Sequence, residues 1–245
     1  MKKLIIALFA LVPSLALAAG PSVPLDSVDI DLTDKASLQR GMTTFVNYCL
    51  GCHQAEYQRY ERSAKDLGIG VDVLKENLMF TGEKVGDHMK NAMPADGAKK
   101  WFGSLPPDLT MVARVRGPEW LYTYLRSFYV DPSRPFGVNN TVFPNVGMPH
   151  VLQTLQGIPT KEDVVAQVDG EQKVVGSKIV TDGSGTLSAE EYDAVIRDLV
   201  NYLEYTGEPT RLASERLGTW VIGFLLVFLV FTYLLKKEYW RDIKK

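Results

Sequence analysis

Three hydropathy patterns succeed one another along the chain. Residues 2–19 open on Lys2 and Lys3, continue as an apolar stretch over 4–17 and close on Ala16, Leu17 and Ala18 in an A-x-A arrangement. This is the three-part layout of a secretory signal peptide, with removal expected near Ala18 or Ala19. Residues 217–235 contain no charged side chain. About 20 apolar residues at about 1.5 Å rise each match a bilayer core, so this run predicts a membrane-spanning helix. A buried core helix of that length would normally keep a polar face.

Between these two runs the apolar positions recur mostly at helical spacing. Leu38, Met42, Phe45, Val46 and Cys49 share one face, with Asp34 or Ser37 available as cap. Val71, Leu74 and Leu78 keep step in a second helix over 71–80. The polar stretch 81–100, rich in Gly, Pro and Met, predicts a long loop. Pro106 and Pro107 force an extended entry into a helix that Asp108 caps and Met111, Val112 and Val115 continue. Residues 119–129, with Trp120, Leu121, Tyr124, Leu125 and Phe128, predict a buried aromatic helix. The Pro-, Asn- and Gly-containing stretch 131–149 predicts another loop, and long loops in compact domains are usually functional. Valines alternating over 161–180 around Asp169 and Gly170 give a hairpin signal. Residues 182–186 superficially resemble a calcium loop, but Leu187 stands where that loop needs Gly and Asp193 where it needs Glu. The stretch reads instead as the approach to a helix. Ser188 and Glu191 form its capping box, Tyr192, Val195, Ile196, Leu199 and Leu203 its apolar stripe, and Gly207 and Pro209 its stop.

The composition is ordinary for a globular protein: 245 residues, 46% hydrophobic and 23% charged. The formal net charge of −2 conceals an uneven layout. The signal region takes two of the 27 Lys and Arg, and the tail after Leu235 takes five more together with two of the 29 acids, which leaves −7 on the segment between. Such an acidic segment favours cationic partners and argues against nucleic acid. Lys236, Lys237, Arg241, Lys244 and Lys245 put the C-terminal end in the cytoplasm by the positive-inside rule. Trp220 suits one membrane interface, Tyr239 and Trp240 the other.

The only cysteines stand in Cys49, Leu50, Gly51, Cys52, His53. A C-x-x-C-H run sets two thiols one helical turn apart, so that each can form a thioether to a haem vinyl while the next residue offers an imidazole to the iron. A structural zinc site needs about four ligands, and only His88 and His150 remain to add. A thioredoxin-like pair would sit in a βαβ pattern, which the spacing does not give. The motif therefore predicts one covalent haem c with His53 as a metal ligand. Tyr57, Arg59, Tyr60 and Arg62 follow closely, and their rings and cations suit either the haem pocket or a solvated helix face.

The second axial position decides the chemistry. A thioether raises the potential and suits electron transfer, whereas an open position permits peroxide or gas chemistry. His88 and His150 are possible nitrogen ligands. Met93, before Pro94, and Met148, between Gly147 and Pro149, lie in loops and not on helical stripes. From spacing alone Met93, closer to His53 along the chain, is a serious rival to Met148.

Taken in order, C-L-G-C-H (49–53) with Tyr57, Arg59 and Tyr60, L-P-P-D-L-T (105–110), V-G-M-P (146–149), D-L-V-N-Y-L-E-Y-T-G-E-P (198–209) and a single C-terminal anchor ending in basic residues resemble the cytochrome c1 family in its bacterial form. That family is the haem subunit of the cytochrome bc1 complex, and the likeness covers nearly the whole mature chain. The resemblance implies Met148 as sixth ligand and Arg114 or Arg116, in A-R-V-R, as partner of a haem propionate, which a guanidinium can hold bidentately. Pro106 and Pro107 would shape the pocket wall. Residues 93–103 depart from the family's Asn- and Ala-rich stretch, and no roles are carried over there.

The expected architecture is mainly α: a class I cytochrome c domain with insertions and a short β-hairpin, plus one C-terminal transmembrane helix. It divides into a signal peptide (1–19), a periplasmic haem domain (20–212), an anchor (213–237) and a cytoplasmic tail (238–245) at the bacterial inner membrane. By resemblance the chain accepts an electron from the Rieske iron-sulfur protein and passes it to a soluble or membrane-tethered cytochrome c, without making or breaking substrate bonds. Its anchor would pack on cytochrome b, with Gly218 and Gly223 permitting close approach. The alternatives are an anchored cytochrome serving a terminal oxidase or another dehydrogenase, and a haem peroxidase.

Overall fold

Helices from the two ends of the globular part cross at a glycine, and the rest of the fold is arranged around that crossing. The computed structural model describes residues 23–168 and 171–242. The expected signal peptide and the Asp169–Gly170 turn lie outside them. Helix α1 (Lys35–Thr44) is capped by Asp34, whose carboxylate accepts from the Ser37 N–H, and continues as a π-helical turn, Phe45–Cys49. Leu38, Met42, Phe45, Val46 and Cys49 are buried, as their spacing predicts.

The last helix of the globular part is named α8 in chain order (Ala189–Gly207). It starts at the predicted Ser188–Glu191 capping box and buries Tyr192, Ile196, Leu199 and Leu203. At Gly41 a β-carbon would lie 2.0 Å from the Asp198 carbonyl oxygen and 2.7 Å from Tyr202 Cβ, so only glycine allows α1 and α8 this approach. The Asp198 carboxylate, buried between the helices, accepts from Ser37 Oγ at 2.7 Å and Arg40 Nε at 2.5 Å. Asn201 donates to Ser37 Oγ and to the Asp31 carbonyl. A buried charge is tolerable when its lone pairs are met in this way.

After the C-x-x-C-H turn, strand β1 (Ala55–Arg59) pairs antiparallel with β2 (His88–Met89). Helices α2 (Tyr60–Leu67) and α3 (Val71–Asn77) lie between them. The stretch 81–100 is therefore not one loop. It also holds most of helix α4 (Ala95–Phe102), for which Pro94 gives an extended entry, Asp96 sits in the first turn, Lys99 and Lys100 in the last, and Gly103 at φ 78 ends the helix. Those charges complement the helix dipole.

Helix α5 (Val112–Arg116) begins later than expected. Asp108 does not cap it, because its carboxylate accepts from the backbone N–H groups of Glu56 and Thr110. Helix α6 (Pro118–Arg126) stops short of Phe128, which is buried instead in strand β3 (Phe128–Val130). Strand β4 (Val138–Asn140) pairs with β3, so the 131–149 stretch is a hairpin arm as well as a loop. Arg126 binds Asp193 through two nitrogens and Asp26 through a third, tying the extended leader to α6 and α8.

A short helix α7 (Gln153–Gln156) leads to the predicted hairpin of β5 (Pro159–Val168) and β6 (Glu171–Thr181), antiparallel with a bulge at Val164/Val165. The 182–185 turn has a structural role: Asp182 Oδ1 accepts from the N–H groups of Ile158 and Ser184 and from Ser184 Oγ. The main core gathers Phe45, Tyr60, Leu74, Met89, Ile196 and Tyr202. A smaller cluster of Phe128, Val138 and Val146 supports Met148.

Helix α9 (Arg211–Tyr239) has 29 residues and no buried side chain. At about 1.5 Å per residue it is about 44 Å long, ample for a hydrocarbon core of about 30 Å. It runs without a break through the expected limits of the anchor at 213 and 237.

Candidate cofactor site

The cysteine motif is folded by its own backbone and clamped from outside. The Leu50 N–H donates to the Phe45 carbonyl, and those of Cys52 and His53 to the Cys49 carbonyl, so the π-helical turn of α1 runs straight into the motif. The Asn91 amide donates to the Leu50 and His53 carbonyls at 3.0 and 3.1 Å. The L-P-P-D-L-T run lies alongside, with the Leu109 N–H on the Gln54 carbonyl at 2.7 Å. His53 Nδ1 is 2.8 Å from the Pro107 carbonyl. A carbonyl only accepts, so Nδ1 carries the proton and Nε2 keeps its lone pair, the arrangement of a metal-binding imidazole.

A cavity of about 330 Å³ opens beside this motif and is lined by Cys49, Cys52 and His53, by Pro106 and Pro107, and by Met148. Its size falls within the roughly 300–1,000 Å³ of small-molecule and cofactor sites. Trp120, Tyr124 and Phe143 supply aromatic walls, and among the described residues Arg116 is the one Lys or Arg in the lining. The Arg116 guanidinium lies 5.0 Å from the Trp120 ring centre. Trp120 stacks on Tyr124 at 4.9 Å, and the Tyr124 hydroxyl donates to Met148 Sδ at 3.3 Å. Beside Met148, Gly147 passes so close to the Phe102 carbonyl that a β-carbon there would lie 3.2 Å from it.

Burial sets the protonation of these groups. It pushes the Cys49 thiol up to about 12, with Cys52 adding a smaller push. A redox dithiol needs a thiolate near neutrality, and burial disfavours one at Cys49. Burial holds His53 below its ordinary value, against the opposing Pro107 hydrogen bond, and so favours the neutral, ligating ring.

The other candidates fall elsewhere. His150 is buried, stacked on Phe128 at 4.9 Å with Nε2 2.7 Å from Gln156 Oε1, and His88 sits in β2; neither lines the cavity. Met93, whose N–H bonds Asn91 Oδ1, is also absent from the lining. Tyr57 is 75% exposed on β1, and Tyr60 is fully buried with its hydroxyl on Thr81 Oγ1. Neither tyrosine is among the lining residues: the strand turns one to solvent, and the start of α2 turns the other into the core. Arg114 pairs with Glu208 at 3.3 Å across the end of α8 and is likewise outside the lining. Asn91 and Tyr124 have no sequence signal that ties them to the site. Asn91 carried no motif, and Tyr124, four residues after Trp120 on a helix, read only as core.

The model of the Cytochrome C1 family matches residues 29–243. The chain is 51% identical to a cytochrome c1 of Allochromatium vinosum, over 99% of this chain and 100% of that protein. It is 46% identical to a protein of Nitrosomonas europaea named ammonia monooxygenase gamma subunit, over 99% of each. It is 25% identical to a cytochrome b/c1 of Bradyrhizobium diazoefficiens, over 85% of this chain and 34% of that one.

Proposed function

The chain belongs to the cytochrome c1 family, and from that premise we propose how its residues serve a haem electron carrier of the bc1 complex. As a member it holds one covalent haem c and works as an electron-transfer subunit, not as an enzyme on its own. Cys49 and Cys52 are assigned the two thioethers, His53 and Met148 the axial positions. The observation supporting this is that all four line one cavity although the sequence sets Met148 far from the other three.

When bound, the haem supplies one-electron exchange between ferric and ferrous iron. The chain's own groups do the remainder. The Pro107 carbonyl fixes the tautomer and orientation of His53. The largely apolar lining excludes water, and Pro106 and Pro107 shape one part of the wall. Arg116 brings a positive charge to the cavity and is assigned the propionate, while Arg114 is engaged with Glu208.

The electron is taken from the Rieske iron-sulfur protein and handed to a soluble or membrane-tethered cytochrome c. Helix α9 is a single-pass anchor beside cytochrome b in the bacterial inner membrane, with the haem domain in the periplasm. The joined name of the Bradyrhizobium relative supports the neighbour, and the apolar, uncovered surface of α9 supports the anchor. The name of the Nitrosomonas relative favours a competing assignment, service to an oxygenase. The deciding experiment is detergent purification of the tagged chain. Haem that stays on the denatured polypeptide, with cytochrome b and Rieske subunits copurifying, is the expected result. Haem released by denaturation overturns the attachment, and copurifying oxygenase subunits overturn the complex.

A further inference from the structure

Tyr124 lines the cavity beside Met148 and is not one of the assigned ligands. Its ring is held on two sides, stacked on Trp120 at 4.9 Å and 9° and edge-on to Phe128 at 5.2 Å and 66°. Its hydroxyl donates to Met148 Sδ at 3.3 Å. Met148 itself packs against the cluster of Phe128, Val138 and Val146, as Tyr124 does. The side chain that would bind the iron and the group that donates to it are thus fixed by the same small cluster.

We propose that Tyr124 is a positioning residue for the sixth ligand: its hydroxyl occupies one lone pair of the Met148 thioether, orients the other toward the cavity and weakens the sulfur as a donor. The inference rests on Met148 being that ligand. A thioether sulfur has two lone pairs, and a hydrogen bond to one draws electron density from the other. Ferric iron depends on donation from the sulfur more than ferrous iron does, so drawing density from a thioether that stays bound favours the reduced state. Hydrogen bonding around the axial ligand is one of the levers by which a protein sets haem potential.

The test is Tyr124→Phe in the full-length, haem-loaded chain, which keeps the ring and its stacking and removes only the hydroxyl. Tyr122→Phe serves as control, because Tyr122 lies under the Arg126 guanidinium and does not line the cavity. A net hydrogen bond is worth about 0.5–1.5 kcal/mol, so at fixed poise the oxidised-to-reduced ratio of the Tyr124→Phe haem should rise about two- to tenfold. At about 59 mV per tenfold for one electron, that is a fall in potential of about 20–60 mV. The weak far-red sulfur-to-iron charge-transfer band should persist but move. An unmoved band with a potential equal to that of Tyr122→Phe overturns the inference. Met148→Leu, measured alongside, separates the two readings: if it keeps the band, the ligand assignment fails, and if it loses the band while Tyr124→Phe changes nothing, only the role of Tyr124 fails.

Discussion

A methyl group on Gly41 would sit 2.0 Å from the carbonyl oxygen of Asp198, so the crossing of α1 and α8 admits no side chain at that point. The contact is with backbone, which cannot rotate aside. Gly41→Ala must therefore push the helices apart and disturb the Ser37–Asp198–Arg40 network at the same seam. Overpacking of a well-filled core costs about 1–3 kcal/mol, and here the upper end is expected. Chemical denaturation of the wild-type and variant haem domains checks this; equal midpoints would mean that the crossing is looser than the distances indicate.

The two loop methionines make opposite predictions. Met148→Leu should lose the far-red charge-transfer band and lower the potential, because leucine leaves the iron without the soft thioether whose binding favours the ferrous state. Met93→Leu should keep both, since Met93 is not among the residues lining the cavity. Absorption spectra and potentiometric titration of the pair decide the sixth ligand.

The two arginines separate in the same measurement. Arg116→Gln removes a cation from the cavity and should favour the oxidised, more positive haem, lowering the potential. Arg116 is solvent-exposed, so the effect is discounted to roughly 0.2–1 kcal/mol. Arg114→Gln, which breaks only the pair with Glu208, should leave the potential near the wild-type value. A larger shift for Arg114 would reverse the propionate assignment.

Asp182 gives an acid-dependent prediction. Hydrogen bonds from Ser184, first from its hydroxyl, together with the Ile158 N–H hold this carboxyl below its ordinary 3.8. A carboxyl lowered in the folded state stabilises the fold above its unfolded value, and that contribution is lost as pH falls through the folded one. Asp182→Ala should thus be less stable than wild type at neutral pH, and the gap should close below about pH 3.8. Denaturation midpoints across that range provide the check; a gap independent of pH would assign the loss to packing instead.

The parts of this fold that read well from the sequence were those in which one periodicity or one motif carried the whole signal. The stripe from Leu38 to Cys49, the Ser188 capping box and the 159–181 hairpin all formed as their patterns indicated. What failed depended on competition between partners. Asp108 had the chemistry of a helix cap, but the Glu56 and Thr110 N–H groups reached it in another geometry. Phe128 fitted the stripe of α6 and was buried all the same, in a strand. Helix α4 was signalled by Pro94, Asp96 and Gly103, but its few apolar positions gave no stripe to notice. At the site, C-x-x-C-H was plain, whereas the group that fixes His53 is a main-chain carbonyl and has no signature of its own. Tyr124 was visible only as an aromatic residue, because what sets it apart is its distance to a sulfur on another segment.

The joint between α8 and α9 spans only Glu208, Pro209 and Thr210. It is riveted on both sides: Arg211 binds Glu204 across it at 2.8 Å, and Arg62 reaches the Pro209 carbonyl from α2. With α9 seated in a bilayer, a joint of three residues would keep the globular head close to the lipid surface. Whatever exchanges electrons with the head would then have to come to it at that surface.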